Sequence, residues 1–163
     1  EEEEPHTVEK LFDTYIRTVG GNACFHLNIP PNQQGRFDER DVAVLKELGS
    51  KIRSSFSHNI FENAEISYLP APYGDTQAQV LVRLPEKERI HYLVLQEDIS
   101  QGQRVETFLI QKPNDFGNWT TVYSGTCIGH KKICEFSKLE TDCLRILVTS
   151  ARDKVNWRNV SAY

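Results

Sequence analysis

Glu97 and Asp98 are adjacent carboxylates, and carboxylates are among the side chains that general acid–base catalysis uses most. They lie at the end of a run typical of a β-strand, from Ile90 to Gln96. Neighbouring side chains on a strand point to opposite faces, so these two carboxylates cannot act on the same bound group. We therefore expect a structural role at the strand end rather than a catalytic one.

The five histidines offer a second type of reactive side chain. They are His6, His26, His58, His91 and His130, and none has metal-ligand spacing from another histidine or from a cysteine. We predict no metal site and no cofactor. For His26, a satisfied interior histidine is favoured over a ligand.

Cys127 and Cys134 flank the short stretch 129–131 closely enough for a hairpin to bring them to disulfide distance. Such a bond would suit an oxidising compartment and so favours a secreted or extracellular protein. The alternative is that all four cysteines, which include Cys24 and Cys143, are small buried apolar residues. Asn118 and Asn159 match the acceptor pattern for N-glycosylation, a pattern that is also common by chance.

Residues 1–57 have the pattern of a helix, a strand and a second helix. Apolar residues recur with the helical period between Val8 and Val19 and again between Val42 and Ile52. Asp38 is the predicted N-cap of the second helix. Between them, Ala23 to Ile29 is a short apolar run bounded by glycines and prolines, which predicts a fully buried strand. This order is typical of an α/β sheet or barrel.

Residues 65–163 have a different pattern, with residues 58–64 as the predicted linker. Short β-rich runs alternate with turn signals and predict an antiparallel β-sandwich or jelly roll. The predicted strands are 77–84, 90–96, 104–111, 119–124, 132–136, 143–149 and 159–163, with turns at 100–102, 113–117 and 138–142.

Composition excludes several classes of partner. The net charge is -4 and no Lys/Arg cluster is present, so we expect no nucleic-acid binding. No apolar run approaches the ~20 residues that span a bilayer, so we expect no membrane insertion. The chain has no Met and begins with four glutamates, which suggests a piece of a longer protein.

Both halves resemble one family, the α-L-fucosidases of glycoside hydrolase family 29. The end of their catalytic (β/α) barrel is similar to residues 21–35, GNACFHLNIPPNQQG, and 41–49, DVAVLKELG. Their discoidin-like β-sandwich is similar to residues 95–108, LQEDISQGQRVETF, and 124–132, SGTCIGHKK. The resemblance thus implies an α+β fragment with the terminal helix-strand-helix unit of the barrel at 1–57 and a β-sandwich accessory domain at 65–163.

The resemblance also implies an activity for the longer protein. Family members are retaining hydrolases with an Asp nucleophile and a Glu or Asp acid/base, two carboxyl groups about 5 Å apart. Both residues would lie upstream of Glu1, so the fragment alone is predicted to be inactive. The expected partners are a fucosylated oligosaccharide or glycoconjugate, with α-1,3/1,4-linked fucose favoured by residues 96–104, and the upstream barrel portion. The alternative is a stand-alone, non-catalytic carbohydrate-binding or structural module.

Active sites of such barrels lie at the carboxyl ends of the strands. On a strand at 23–29, Cys24, His26 and Asn28 share one face, and the opposite face would meet the outer helices. Asn28, with Asn32, is therefore the candidate substrate-adjacent residue. The alternative role for Asn28 is to hold the Pro-Pro loop through local hydrogen bonds.

Aromatic residues of the second half are candidates for stacking on a sugar ring. They are Tyr73, Phe116, Trp119 and Trp157, together with His130. Trp157, flanked by polar residues, is the preferred exposed ring. The alternative is a sandwich that braces the barrel and binds no sugar.

Overall fold

Two helices joined by an extended segment precede six strands in the computed structural model, which describes residues 4–70 and 78–163. Helix α1 spans Val8–Thr18 and helix α2 spans Glu39–Ser55. The side chain of Thr7 caps α1, and the Asp38 carboxylate accepts a hydrogen bond from the Arg40 amide at the start of α2. Both predicted helices and the Asp38 cap are confirmed.

The predicted buried strand at Ala23 to Ile29 is wrong as a strand. Residues 23–30 are extended, but they pair with no strand among the described residues, and most of their side chains are exposed. Only the preceding Gly21 forms an isolated bridge, with Lys132. An apolar run specifies an extended backbone, whereas a strand also needs a neighbour to satisfy its amides and carbonyls.

The second half is a six-stranded antiparallel sheet. The strands are β1 (Glu65–Pro70), β2 (Ala78–Glu97), β3 (Val105–Pro113), β4 (Trp119–Thr126), β5 (Lys132–Ala151) and β6 (Trp157–Ala162). They are ordered β1-β2-β5-β3-β4 across the sheet, and β6 pairs with the last part of β2. The predicted strand regions are confirmed, but β2 and β5 each join two of them. The turn predicted at 138–142 is wrong, because this part of β5 pairs with 88–90 of β2.

The two long strands fold the sheet over one apolar core. Register shifts interrupt β2 between Arg83 and Glu88 and again between Ile90 and Tyr92. The first part of β2 pairs with β1 and the last part with β6, yet side chains from both parts lie in the same core. That core includes Val82, Leu95, Phe108, Ile128 and Ile146. The arrangement is that of a β-sandwich.

The helices pack on the outer surface of this sandwich. Val8, Leu11, Phe12 and Ile16 of α1 and Leu48 of α2 form a second apolar cluster with Val94 of β2 and Ile133 of β5. The Phe12 ring lies edge-on to Tyr92, with 6.2 Å between the ring centroids. The two parts of the chain therefore share a packed apolar contact.

Residues 58–64, the predicted linker, take part in the sandwich. A short 3-10 helix spans Ile60–Asn63, and Phe61 is buried in the sandwich core. The Asn59 side-chain oxygen accepts hydrogen bonds from the amides of Phe61 and Ala162. This segment is fixed to β6 rather than free between the two parts.

Candidate functional site

The side chains of the extended segment 23–30 lie in two environments, although Leu27, predicted to share a face with Phe25, is 37% exposed. Phe25 packs against the cluster between the helices and the sandwich. Cys24, His26 and Asn28 are exposed. His26 is exposed in this chain, and its position inside a complete barrel stays a prediction. The helices lie on one side of the segment. On its other side, no strand of the described residues pairs with it.

Asn28 lies in a cleft at the end of this segment, beside the start of α2. The lining residues are Glu4, Pro5, His6, Leu11, Leu27, Asn28, Ile29, Pro30, Asp41, Val44 and Leu45. Leu27 and Ile29 line this cleft together with Asn28 and with Leu11 and Leu45 of the helices. The cleft joins an apolar floor to polar groups, a combination suited to a polar ligand with an apolar face.

Asn32 closes the loop that follows. Its side-chain oxygen accepts hydrogen bonds from the backbone amides of Gln34 and Arg36, each at 3.0 Å. Its backbone amide donates to the Arg36 carbonyl at 2.7 Å. The loop-closing role that the sequence allowed for Asn28 is therefore filled by Asn32. Asn28 lines the first cleft and Asn32 lines a second one around the Pro30-Pro31 loop, so the role of either residue next to a substrate stays a prediction.

Glu97 and Asp98 are separated as expected from their strand position. The Glu97 side chain is buried and its two oxygens accept hydrogen bonds from the amides of Arg104, Val105 and Gly129. Asp98 is exposed and caps a short 3-10 helix at Ile99–Gln101; hydrogen bonds from Ser100 lower the pKa of this carboxyl. Both carboxylates satisfy backbone amides, which is a structural role.

Trp119 lies in a polar cluster on the outer face of the sandwich. The Arg145 guanidinium stacks over its ring at 4.4 Å from the centroid. Arg145 also donates from Nε and Nη2 to Gln111 Oε1, and Gln111 donates to Thr121. Desolvation lowers the pKa of Arg145. No local pattern predicts this cluster, because its members come from three different strands.

The other candidate sugar-binding residues are dispersed. Trp157, predicted to be an exposed ring, is half-buried and packs against the sandwich core, with its centroid 6.5 Å from that of Tyr68. The Trp157 ring is half-buried because the residue lies in β6, where it pairs with Glu97 of β2. His130 is exposed in the loop before β5, and Phe116 is 89% exposed at a hairpin tip. Tyr73 lies outside the described residues.

Cys127 and Cys134 are not joined, so the predicted disulfide is not formed. Cys127 is exposed in the loop after β4, whereas Cys134 is buried in the sandwich core. Burial raises the pKa of the Cys134 thiol to about 12, and raises that of the neighbouring Tyr123 to about 12. The close spacing of the two cysteines in sequence did not show that one side chain points inward.

The two predicted glycosylation acceptors differ in access. Asn118 is exposed beside a turn, where its amide donates to the Asn114 side chain. Asn159 lies within β6 and donates to Ser161, whose hydroxyl-bearing side chain is buried. Only Asn118 has the surface position that glycosylation needs.

The described residues hold neither a candidate metal site nor a membrane-spanning helix. Residues 4–70 and 78–163 contain no group of three or more His, Cys, Asp or Glu side chains arranged to hold a metal ion. In the same ranges, no helix is both long and apolar enough to cross a membrane.

Comparison with known proteins gives one consistent result, although no protein-family model matches the chain. The chain is 29% identical to α-L-fucosidase 1 of Arabidopsis thaliana over 176 residues, which cover 92% of the chain and 35% of that protein. The crystal structure of SpGH29 matches at 26% sequence identity with a TM-score of 0.90. The match covers 100% of the present chain and 40% of the SpGH29 chain.

The structure of a Ruminococcus gnavus GH29 fucosidase in complex with fucose also matches, at 25% sequence identity and a TM-score of 0.87. The match covers 98% of the present chain and 37% of the fucosidase chain. The chain therefore spans between 35% and 40% of the length of these three relatives. The predicted resemblance and the fold class are confirmed by both kinds of comparison.

Proposed function

We propose that this chain, whose sequence and fold match the C-terminal part of family 29 fucosidases, is the corresponding part of a retaining α-L-fucosidase. Its parent protein would release terminal α-linked fucose from glycans, and α-1,3/1,4 linkages are the favoured substrates. Residues 1–57 would complete the catalytic barrel and residues 65–163 would form the accessory domain. The two catalytic carboxylates would come from the rest of the barrel.

The observation that carries this proposal is the unpaired segment 23–30. It is extended, bears apolar side chains, and lies against two helices without a strand beside it among the described residues. Backbone amides and carbonyls of such a segment are satisfied best by a neighbouring strand. A barrel strand of the parent protein is the partner that the comparisons suggest.

Exposed apolar groups around the helices support the same partner. Phe37 is 58% exposed and borders a shallow groove with Val42, Leu45 and Gly49 of α2. Leu27 is 37% exposed on the extended segment. Burial of these groups against a neighbouring strand and helix would stabilise the complete barrel.

Within this proposal, Asn28 is the residue nearest to the substrate. It lies at the carboxyl end of the extended segment, which is the end where barrel enzymes bind their substrates. Its exposed amide can both donate to and accept from a sugar hydroxyl. Asn32 would act indirectly, by holding the loop that borders this cleft.

The sandwich would brace the barrel. Its Val94, Ile133 and Tyr92 side chains cover the apolar face of α1, so that α1 and α2 have a fixed platform on which to pack. No observation favours a separate sugar-binding function over this one, and contacts of Trp119 or His130 with a glycan stay predictions.

A chimera tests the proposal. This chain would replace the matching C-terminal 37% of the Ruminococcus gnavus fucosidase, and hydrolysis of an aryl α-L-fucoside would be measured. We expect activity from the chimera and none from this chain alone. Fucose release by the chain alone, or a folded chimera without activity, would contradict the proposal.

An Asn28→Ala variant of the chimera addresses the residue assignment. Loss of a substrate hydrogen bond should lower kcat/KM about tenfold, since such a bond is worth about 1.4 kcal/mol. Asn118→Ala is the matched control, because Asn118 lies on the sandwich surface, and its activity should be unchanged. Equal activity of the two variants would remove Asn28 from the site.

A further inference from the structure

The loop 127–131, between β4 and β5, is held by the sandwich on one side. The buried Glu97 carboxylate accepts the Gly129 amide through Oε2 at 2.6 Å, and the Glu97 amide donates to the Gly129 carbonyl at 2.8 Å. Gln96 Nε2 donates to the His130 carbonyl at 2.9 Å. The position of loop 127–131 relative to the sandwich is therefore fixed.

Asn22, from the other half of the chain, holds the same loop on its opposite side. Its Nδ2 donates to the Ile128 carbonyl at 2.8 Å, and its Oδ1 accepts the Lys131 amide at 3.0 Å. The backbone of Asn22 has φ 67, a left-handed conformation in which Asn is enriched among non-glycine residues. Both ends of its side-chain amide are thus used across the junction.

The close approach at this junction depends on glycines. A Cβ at Gly129 would lie 2.7 Å from Asn22 Oδ1, and a Cβ at Gly20 would lie 2.6 Å from the Ile133 Cβ. Gly20 also accepts the Ile133 amide through its carbonyl at 3.1 Å, and Gly21 bridges Lys132. Larger residues at Gly20 or Gly129 would separate the two surfaces.

The extended segment starts directly after this junction and has few other constraints. The Ala23 amide donates to the Thr18 carbonyl at 2.8 Å. From residue 24 to residue 31, the backbone makes no hydrogen bond to the backbone of another described residue. The position of the segment therefore depends on its two ends and on the packing of its apolar side chains.

We infer that Asn22 is a positioning residue that ties the start of segment 23–30 to loop 127–131, and through Glu97 to the core of the sandwich. The sandwich thereby sets where the segment begins. The inference rests on the proposed function only in that the segment leads to Asn28, the proposed substrate-adjacent residue. The junction itself is tested on this chain without any assay of activity.

The test compares Asn22→Gly with Asn22→Asp by NMR. Glycine tolerates the φ of 67 but lacks the side-chain amide, whereas aspartate keeps an acceptor for the Lys131 amide. In Asn22→Gly we expect the Lys131 amide to exchange about tenfold faster and the order parameters of residues 23–27 to fall. Asn22→Asp keeps the acceptor for the Lys131 amide, but a carboxylate oxygen replaces the donor to the Ile128 carbonyl, so the order parameters of residues 23–27 should fall in this variant too.

Asn114→Gly is the matched control, because Asn114 accepts two backbone amides within an exposed hairpin. It should leave Lys131 and residues 23–27 unchanged. Unchanged order parameters in Asn22→Gly would overturn the inference, and so would a uniform rise in exchange that includes the amides bonded to Glu97. If Asn22→Gly does not fold, unchanged order parameters of residues 23–27 in Asn22→Asp would equally overturn it. Failure of the fucosidase proposal would leave these results unaffected.

Discussion

The two halves of the chain satisfy their backbone and apolar groups in different ways. In the sandwich, six strands pair with one another and enclose a core that includes Leu95, Phe108 and Ile146. In the first half, α1 and α2 use the outer surface of the sandwich as their platform, and the segment between them lacks a paired strand among the described residues. The sandwich has the attributes of an independent folding unit, whereas the first half depends on neighbours.

The largest expected effect comes from the sandwich core. Phe108 is 1% exposed and stacks on Tyr123, so Phe108→Ala should lower the free energy of unfolding by about 3–5 kcal/mol. Because the helices need the sandwich as a platform, urea should then unfold both halves together. The matched control is Phe116→Ala, at a side chain that is 89% exposed, and its unfolding should match the unsubstituted chain. Helices that outlast the sandwich would contradict this dependence.

A core substitution in the first half should have a smaller and more local effect. Phe12 is 7% exposed and contacts Tyr15 and Tyr92, so Phe12→Ala should cost about 2–4 kcal/mol of docking free energy. Helical circular dichroism should be lost at lower urea than the fluorescence of Trp119 and Trp157, both of which lie in the sandwich.

Phe37→Ala is the control for this variant, because the Phe37 side chain is 58% exposed in the chain alone. Coincident transitions for Phe12→Ala would show that the two halves unfold as one unit. The contrast between dependent and independent halves would then fail.

The cysteines provide a third test, through thiol access and pH. Cys24 and Cys127 are exposed and should react with iodoacetamide in the native chain, whereas Cys134 should not. Burial raises the pKa of Cys134 to about 12 from an ordinary 9.0, so the folded state keeps the proton while the unfolded state loses it. The contribution of this thiol to the free energy of unfolding is fully present below pH 9 and should fall as the pH rises from 9 towards 12.

Intact mass after alkylation measures the first result, and urea unfolding at several pH values measures the second. Cys134→Ala should reduce the alkaline loss of stability. A native chain with an unreactive Cys127 and a mass two hydrogens lower would instead indicate the disulfide that the structure lacks.

The smallest expected effect concerns the cap of α1. Thr7 Oγ1 accepts the Lys10 amide at 3.3 Å, so Thr7→Ala should lower helix stability by about 0.5–1 kcal/mol. The change should appear in the helical transition and leave the tryptophan transition in place. Thr7→Ser retains the hydroxyl and serves as the control.

Local signals predicted the helices and most of the strands correctly. The Asp38 cap and the apolar spacing in α2 depend on residues within a few positions of one another, which a sequence displays directly. The strand predicted at 23–29 was not formed, because pairing depends on a distant partner. The turn predicted at 138–142 was wrong for the same reason, since pairing with 88–90 keeps β5 continuous.

The candidate site was predictable only in part. Cys24, His26 and Asn28 are exposed and Phe25 packs inward, as strand geometry predicts, but Leu27 is exposed as well. The contacts of Asn22 with loop 127–131 join residues more than 100 positions apart, so no local pattern predicted them. The succession Gly20-Gly21-Asn22 was the available signal, because it marks a backbone that another part of the chain approaches closely.

We propose that segment 23–30 becomes a paired strand only when the remainder of a fucosidase barrel lies beside it. Amide hydrogen exchange of residues 23–30 tests it most directly, measured in this chain alone and in the chimera with the Ruminococcus gnavus fucosidase. We expect rapid exchange in the chain alone and strong protection in the chimera. Protection of the segment in the chain alone, or rapid exchange in a folded chimera, would contradict it.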